Sequence, residues 1–168
     1  MKSILIGIIL TLFLTQICFA QPLSPITGQG GWFCQNPSQA GQRIHDMQFI
    51  DSLTGYACGY GGLFLITTDG GNHWIEKQAP EEELIVDLYF LDRDFGWILY
   101  YLPNRLYRTT DGGNSWNFIS ELLSRDPSFV YFLDEQNGFA GGITGPIRYL
   151  LKTNDGGFTW TDETEVND

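Results

Sequence analysis

The chain contains three copies of one octet, the first of which reads Thr67-Thr68-Asp69-Gly70-Gly71-Asn72-His73-Trp74. It returns as Thr109-Thr110-Asp111-Gly112-Gly113-Asn114-Ser115-Trp116 and as Thr153-Asn154-Asp155-Gly156-Gly157-Phe158-Thr159-Trp160. The shared pattern is Thr-x-Asp-Gly-Gly-x-x-Trp, and its aspartates lie 42 and 44 residues apart. A period of this length is typical of the four-stranded blades of β-propellers.

The composition of the octet predicts a tight turn between two antiparallel strands. Two consecutive glycines allow the positive φ angles that such a turn needs, and the aspartate carboxylate can accept hydrogen bonds from backbone N–H groups of the turn. The tryptophan is expected to fold over the glycines. We therefore predict a structural role, and no catalytic one, for twelve residues. They are Thr67, Asp69, Gly71, Trp74, Thr109, Asp111, Gly113, Trp116, Thr153, Asp155, Gly157 and Trp160.

A second motif precedes each octet with constant spacing. Phe49-x-Asp51-x-x-x-Gly55-Tyr56 matches the stretches that begin at Phe90 and at Phe132. This motif predicts a strand, a four-residue turn and a return strand, so that each repeat supplies four strands. The predicted fold is all-β, a partial propeller of three four-stranded antiparallel blades. The blades are expected at residues 44–80, 84–120 and 128–165.

The N-terminus has the features of a secretory signal peptide. Lys2 is followed by an apolar run from Ile4 to Leu14, and the segment ends at Cys18-Phe19-Ala20, which suits signal peptidase. We predict cleavage after Ala20, a secreted or periplasmic protein, and no stable membrane insertion afterwards. Residues 21–43 form an N-terminal segment whose stretch from Gly31 to Pro37 is similar to the last strand of a repeat, and it is predicted to be an orphan strand.

The composition restricts the classes of partner. The 168 residues carry a formal net charge of -11, and removal of Lys2 with the signal makes it more negative. Nucleic acids attract basic surfaces, so we predict no nucleic-acid binding. The two cysteines that survive cleavage, Cys34 and Cys58, leave two interpretations open, a disulfide between them or buried thiols.

The three octets resemble Asp-box repeats, also called BNR repeats. Together with the second motif they resemble the photosystem II assembly and stability factor family of lumenal β-propellers and its secreted bacterial relatives. The resemblance covers roughly Trp32 to Thr161. It implies a non-enzymatic module for protein binding or scaffolding, without a cofactor. The alternative is a carbohydrate-binding or degenerate sialidase-like propeller, because Asp-boxes also occur in sialidases.

The residues that a sialidase requires are not evident in the sequence. Such an enzyme grips its substrate with three arginines, and none of the six arginines of the mature chain lies in an Arg-Ile-Pro signature. These arginines are Arg43, Arg93, Arg105, Arg108, Arg125 and Arg148. Neither His45 nor His73 has a cysteine or histidine at metal-ligand spacing. We predict no enzymatic activity and no metal site.

The first strands of the repeats differ in one respect. One face carries Asp46 and Gln48 in the first repeat and Phe129 and Tyr131 in the third. In the second repeat the corresponding residues are Asp87 and Tyr89. Because this face becomes more apolar toward the C-terminus, we predict that the C-terminal blade contacts a partner. The alternatives are an unknown protein, a second copy of the chain in a six-bladed assembly, or further blades outside this sequence.

Overall fold

A computed structural model of the chain describes residues 43–122 and 126–164. The predicted signal peptide, the predicted orphan strand and Cys34 lie outside these residues. Within the described ranges, no helix is long and apolar enough to cross a bilayer.

The described residues form three antiparallel sheets of four strands each, and in every sheet the strand order follows the chain. The first sheet consists of β1 (Ile44–Phe49), β2 (Gly55–Gly59), β3 (Phe64–Thr67) and β4 (Ile75–Glu76). The second consists of β5 (Ile85–Phe90), β6 (Gly96–Tyr100), β7 (Arg105–Thr109) and β8 (Asn117–Glu121). The third consists of β9 (Pro127–Phe132), β10 (Gly138–Thr144), β11 (Ile147–Thr153) and β12 (Thr161–Asp162). The predicted fold class, an all-β partial propeller of three four-stranded sheets, is confirmed; the exact segment bounds stay predictions.

Turn hydrogen bonds and the packing of an aromatic ring explain the residues of the second motif in each sheet. Asp51 Oδ1 accepts the N–H groups of Leu53 and Thr54 at 2.7 and 2.8 Å, which closes the turn from β1 to β2. The ring of Phe49 covers Gly55 so closely that a Cβ there would lie 2.8 Å from a ring carbon. The same turn and the same covered glycine recur in the other two sheets. Asp and Gly at this spacing are therefore requirements of the strand pair.

The first strand of each sheet has a β-bulge at the same repeat position. The register shifts between Ile44 and Asp46 in β1 and between Ile85 and Asp87 in β5. In the third sheet Pro127 pairs with Gly142 and Phe129 with Gly141, so the shift falls at Ser128. A bulge changes the side of the sheet to which the following side chains point.

The hydrophobic core lies between neighbouring sheets. One cluster joins the first sheet to the second around Tyr56, Phe64 and Phe90. Another joins the second sheet to the third around Trp97 and Phe132. We call each of these contacts between consecutive sheets a joint. Because each sheet packs face to face on the next, the joints fix the relative positions of the three first strands.

Candidate partner-binding site

The Asp-box turns share one hydrogen-bond pattern. In the second box, Thr109 Oγ1 donates to Asp111 Oδ1 at 2.8 Å and accepts the N–H of Gly113 at 2.9 Å. Asp111 Oδ1 also accepts the N–H of Ser115 at 2.8 Å. The first and third boxes make the same three bonds. Both glycines of every box have positive φ.

These hydrogen bonds stabilise the ionised aspartates. The backbone N–H and the side chain of His73 lower the pKa of Asp69 to about 2. The hydroxyl and the N–H of Thr159 likewise lower the pKa of Asp155 to about 2. The geometry is that of a turn whose polar groups are satisfied locally. The structural role of the twelve box residues stays a prediction, which a substitution at Gly113 tests below.

The second and third boxes also contribute to a joint, which the sequence pattern did not reveal. A Cβ on Gly113 would lie 2.4 Å from Phe64 Cε1 of the preceding sheet. A Cβ on Gly157 would lie 2.6 Å from Leu106 Cδ2 at the next joint. Phe64 and Leu106 occupy the same repeat position, three residues before the box threonine. The second glycine of the box is therefore needed for close approach between sheets.

Aromatic stacking repeats at both joints. The rings of Tyr56 and Phe90 stack with centroids 3.6 Å apart and an interplanar angle of 1°. Trp97 and Phe132 stack with the same distance and angle at the next joint. The indole N–H of Trp97 donates to the carbonyl of Gly156 at 3.2 Å, so this stack is tied to the third box.

Polar side chains of one first strand bind the backbone of the next first strand. Gln48 Oε1 accepts the N–H of Phe90 at 2.7 Å, and Gln48 Nε2 donates to the carbonyl of Phe90 at 3.1 Å. Asp46 Oδ2 accepts the N–H of Leu88 at 3.3 Å. Asp87 Oδ2 accepts the N–H of Val130 at 2.6 Å at the next joint. Because first strands lie at sheet edges, these bonds satisfy backbone groups that no neighbouring strand can pair.

Burial favours the protonated form of the Asp87 carboxyl. Burial, with a further contribution from the neighbouring Asp46 carboxylate, raises the pKa of Asp87 from 3.8 to about 8. Between these values the folded chain holds one proton more at this site than the unfolded chain. The contribution of Asp87 to stability is therefore largest at low pH and declines as the pH rises toward 8.

We expect the substitution Asp87→Asn to remove this loss of stability with rising pH. Asparagine keeps an oxygen for the N–H of Val130 and resembles the protonated carboxyl, so the free energy of unfolding of the variant should exceed that of the wild type by more at about pH 8 than at about pH 5.5. Urea unfolding at both pH values measures the difference. Asp134→Asn is the control, because hydrogen bonds lower the pKa of Asp134 and its carboxyl is ionised at both pH values. If the free energy of unfolding of Asp87→Asn fell with rising pH as much as that of the wild type, the raised pKa of Asp87 would be contradicted.

A cleft with a volume of about 350 Å³ lies where the three first strands begin. Its wall includes His45, Val86 and Ser128, which occupy one repeat position in β1, β5 and β9. The side chains that complete it are Leu84, Tyr101, Asp126, Pro127 and Ile143. His45 Nδ1 lies 2.8 Å from the carbonyl oxygen of Val86 and bridges the first joint.

The cleft combines apolar walls with a few polar groups, as binding sites commonly do. Tyr101 and Ile143 are exposed there, and Asn104 Nδ2 donates to Asp126 Oδ1 at 3.2 Å. None of the twelve box residues lines the cleft. The sequence held no distinct signal for the cleft, because the repeat position of His45, Val86 and Ser128 and the position after it both change their chemistry between repeats.

The arginines that a sialidase would bring together are engaged at separate places. Arg93 Nη2 pairs with Asp51 at 3.0 Å, and Arg105 Nη1 pairs with Glu81 at 2.8 Å. The guanidinium of Arg108 lies 5.3 Å from the ring centre of Phe95 and 5.7 Å from that of Phe158. Arg125 lies outside the described residues. Among the described residues, no group of three or more His, Cys, Asp and Glu side chains could hold a metal ion.

Cys58 is a buried free thiol in the structure. Its Sγ lies 3.7 Å from the carbonyl oxygen of Ile85 in the second sheet, and burial raises the pKa of the thiol. Cys58 thus packs within the first joint. Cys34 is not among the described residues, so a bridge between the two cysteines stays untested.

Comparison with known proteins identifies the family. The model of the photosynthesis system II assembly factor YCF48 family matches residues 32–137. The chain belongs to this family. A curated member of it, the photosystem II assembly lipoprotein Ycf48 of Synechococcus sp. (strain CC9902), is 31% identical over 129 residues, which are 73% of this chain and 37% of that protein. The resemblance drawn from the octets and the second motif is confirmed.

Solved structures agree with this assignment. A structure described as YCF48 bound to D1 peptide superposes with a TM-score of 0.66 at 27% identity, covering 79% of this chain and 42% of that one. The GH74 enzyme of Niastella koreensis superposes with a TM-score of 0.56 at 20% identity, over 74% of this chain and 23% of that one. The likeness to the GH74 enzyme concerns the fold alone. The chain spans about two fifths of the length of the YCF48 relatives, by the shares of 37% and 42%.

Proposed function

We propose that this chain is an exported, non-enzymatic binding module of the YCF48 type, which holds an extended segment of a partner polypeptide. Membership in the family and the relative that binds a D1 peptide support this function. The observation that carries the proposal for this chain is the cleft. It is built from all three sheets and accepts a few side chains of a peptide.

The chemistry of the cleft favours one kind of peptide. Apolar side chains of the ligand would pack against Tyr101 and Ile143, while backbone amides would bond the polar groups of Ser128 and Asp126. The chain has a net charge of -11, so electrostatic attraction favours neutral or basic segments over acidic ones. We propose a peptide of the same class as the D1 peptide, taken from a subunit that is being assembled.

We propose an extracytoplasmic location, secreted or periplasmic. The N-terminal sequence supports export, and the curated relatives are named lipoproteins. The separate engagement of Arg93, Arg105 and Arg108 supports a module without sialidase activity. The carbohydrate-binding alternative has no comparable support, because the GH74 neighbour shares the fold alone.

The binding experiment uses a fluorescently labelled D1 peptide and the purified chain. We expect the fluorescence anisotropy of the peptide to rise and saturate as the chain is added. Tyr101→Ala should weaken binding by roughly tenfold, because truncation of an aromatic anchor in a cleft commonly costs more than about 1 kcal/mol. Its matched control is Tyr60→Ala, since Tyr60 is exposed by 45% and Tyr101 by 42%, and Tyr60 lies outside the cleft.

Two results would contradict the proposal. Equal losses in Tyr101→Ala and Tyr60→Ala would mean that the peptide does not occupy the cleft. Saturable binding of a sialylated oligosaccharide, with no binding of the peptide, would favour the carbohydrate alternative.

The partner prediction also included self-association through the C-terminal blade, and we retain it as a proposal. It concerns faces of the sheets that are distinct from the cleft. The exposure of Phe129 and Tyr131 in the third sheet supports it.

A further inference from the structure

The β-bulge of each first strand supplies one residue to the cleft. In β1 the register shifts between Ile44 and Asp46, so His45 is the extra residue of the bulge. Val86 holds this place in β5, and Ser128 holds it in β9. All three residues line the cleft. A bulge redirects the side chain of its extra residue, which explains why the cleft lies where the first strands begin.

The bulge residue and the residue after it have different tasks. Asp46 and Asp87 accept N–H groups of the next first strand and so belong to the joints. Among the bulge residues, Val86 is only 8% exposed, and its side chain packs in the core. His45 and Ser128 are exposed, so their polar groups are accessible to a ligand in the cleft.

The hydrogen bond between His45 and Val86 determines which ring nitrogen of the histidine carries the hydrogen. Nδ1 of His45 lies 2.8 Å from the carbonyl oxygen of Val86. A carbonyl oxygen can only accept a hydrogen bond, so Nδ1 is the donor. In the neutral imidazole, Nε2 then has a lone pair and no hydrogen, and it can only accept.

Nε2 of His45 is the ring nitrogen that remains for a ligand. The two nitrogens of an imidazole point in different directions, so Nε2 is turned away from the carbonyl group of Val86. Within residues 43–122 and 126–164, no group forms a hydrogen bond with this atom. The cleft wall therefore contains a hydrogen-bond acceptor whose position is fixed by the bond that Nδ1 makes.

We propose that Nε2 of His45 accepts a backbone N–H of the segment that occupies the cleft, and that this bond fixes the position of the segment along the first strands. The inference rests on the proposed function and names the residue that recognises the backbone of the segment. Extended peptides gain affinity from main-chain hydrogen bonds and specificity from pockets for alternate side chains. Nε2 supplies a bond of the first kind, and the apolar wall with Tyr101 and Ile143 supplies a pocket.

An acceptor at this place selects the segment in two ways. A segment shifted so that a carbonyl group faces Nε2 would bring two acceptors together, which is unfavourable. Proline has no backbone N–H, so the residue of the segment that lies at His45 must be a different amino acid.

Replacement of single amides by esters in the labelled D1 peptide tests the proposal. A set of peptides, each with one ester in its backbone, is titrated with the wild type and with His45→Asn, and fluorescence anisotropy reports binding. An ester has no N–H, so one peptide of the set should bind the wild type roughly three- to tenfold more weakly than the parent, as expected for one lost hydrogen bond. His45→Asn should not distinguish that ester from the parent to the same degree. Its side-chain amide can keep the bond to Val86 but places no atom where Nε2 lies.

Two further variants separate the bond to the ligand from the bond to Val86. His45→Gln can place an amide oxygen near the position of Nε2, so it should keep the ester effect although it gives up the bond to Val86. Tyr101→Ala is the matched control for weak binding, because it lowers the affinity but leaves His45 in place, and it should keep the ester effect too. His45 is exposed, so both of its variants should unfold at a urea concentration close to that of the wild type.

The outcomes distinguish this inference from the proposed function. Saturable binding of the parent peptide, with no ester that distinguishes the wild type from His45→Asn, would overturn the inference and leave the proposed function in place. An ester effect that His45→Asn keeps and His45→Gln loses would also overturn it, because His45 would then act through Val86 alone. If the wild type did not bind the parent peptide, the proposed function would fail, and this inference would fail with it.

Discussion

Replacing Phe132 with alanine is expected to lower the free energy of unfolding by about 3–5 kcal/mol, the usual cost of truncating a fully buried phenylalanine. Phe132 has no exposed surface. Its ring stacks on Trp97 across the second joint and covers Gly138 within its own sheet. The alanine variant would therefore leave a cavity between two sheets, which urea unfolding of the variant and the wild type measures.

Phe49→Ala is the matched control for this substitution. Phe49 occupies the same repeat position and covers Gly55 in the same way, but no ring of a preceding sheet stacks on it among the described residues, and it is 44% exposed. It should lose less than half as much stability, measured at concentrations where both variants are monomeric. Equal losses would mean that the packing within each sheet, and not the joint, accounts for the effect.

Replacing Gly113 with alanine is expected to destabilise the chain by about 2–5 kcal/mol, from two additive causes. Gly113 has a φ of 80°, which a residue with a Cβ adopts only with strain. The new methyl group would also overlap the ring of Phe64, which is fully buried. Thermal and urea unfolding should show a lower midpoint.

Gly145→Ala separates the two causes. Gly145 has a φ of 61°, but a Cβ there would have nothing within 4 Å. Only the backbone strain remains, so we expect a loss of about 1 kcal/mol. If Gly113→Ala were no worse than Gly145→Ala, the box glycine would serve the turn alone, and its role in the joint would be refuted.

The sequence predicts the sheets well because their determinants are local. The turn bonds of Asp51 and Asp111 reach residues two to four positions away, so each motif specifies its own pair of strands. Repetition of the motifs at nearly constant spacing then implies a propeller. The change from the polar Asp46 to the apolar Phe129 is also evident in the sequence, because the two residues occupy equivalent positions in their repeats.

The joints and the cleft could not be predicted in the same way. Tyr56 and Phe90, or Trp97 and Gly156, come from different repeats, and no short pattern links them. The octet predicts a turn whose polar groups are satisfied locally, whereas Gly113 and Gly157 also contact side chains of the preceding sheet. The cleft arises only when three distant residues, His45, Val86 and Ser128, are brought together by the joints.

The joints have a consequence for how such chains change their length during evolution. The second sheet packs on the first through one face, with Phe90 and Gly113, and on the third through its other face, with Trp97 and Leu106. A tandem duplication of one repeat within the gene would therefore insert a blade whose two faces already match both neighbours. A gene of this kind can gain or lose whole blades in single events, without compensating point mutations at the new contacts.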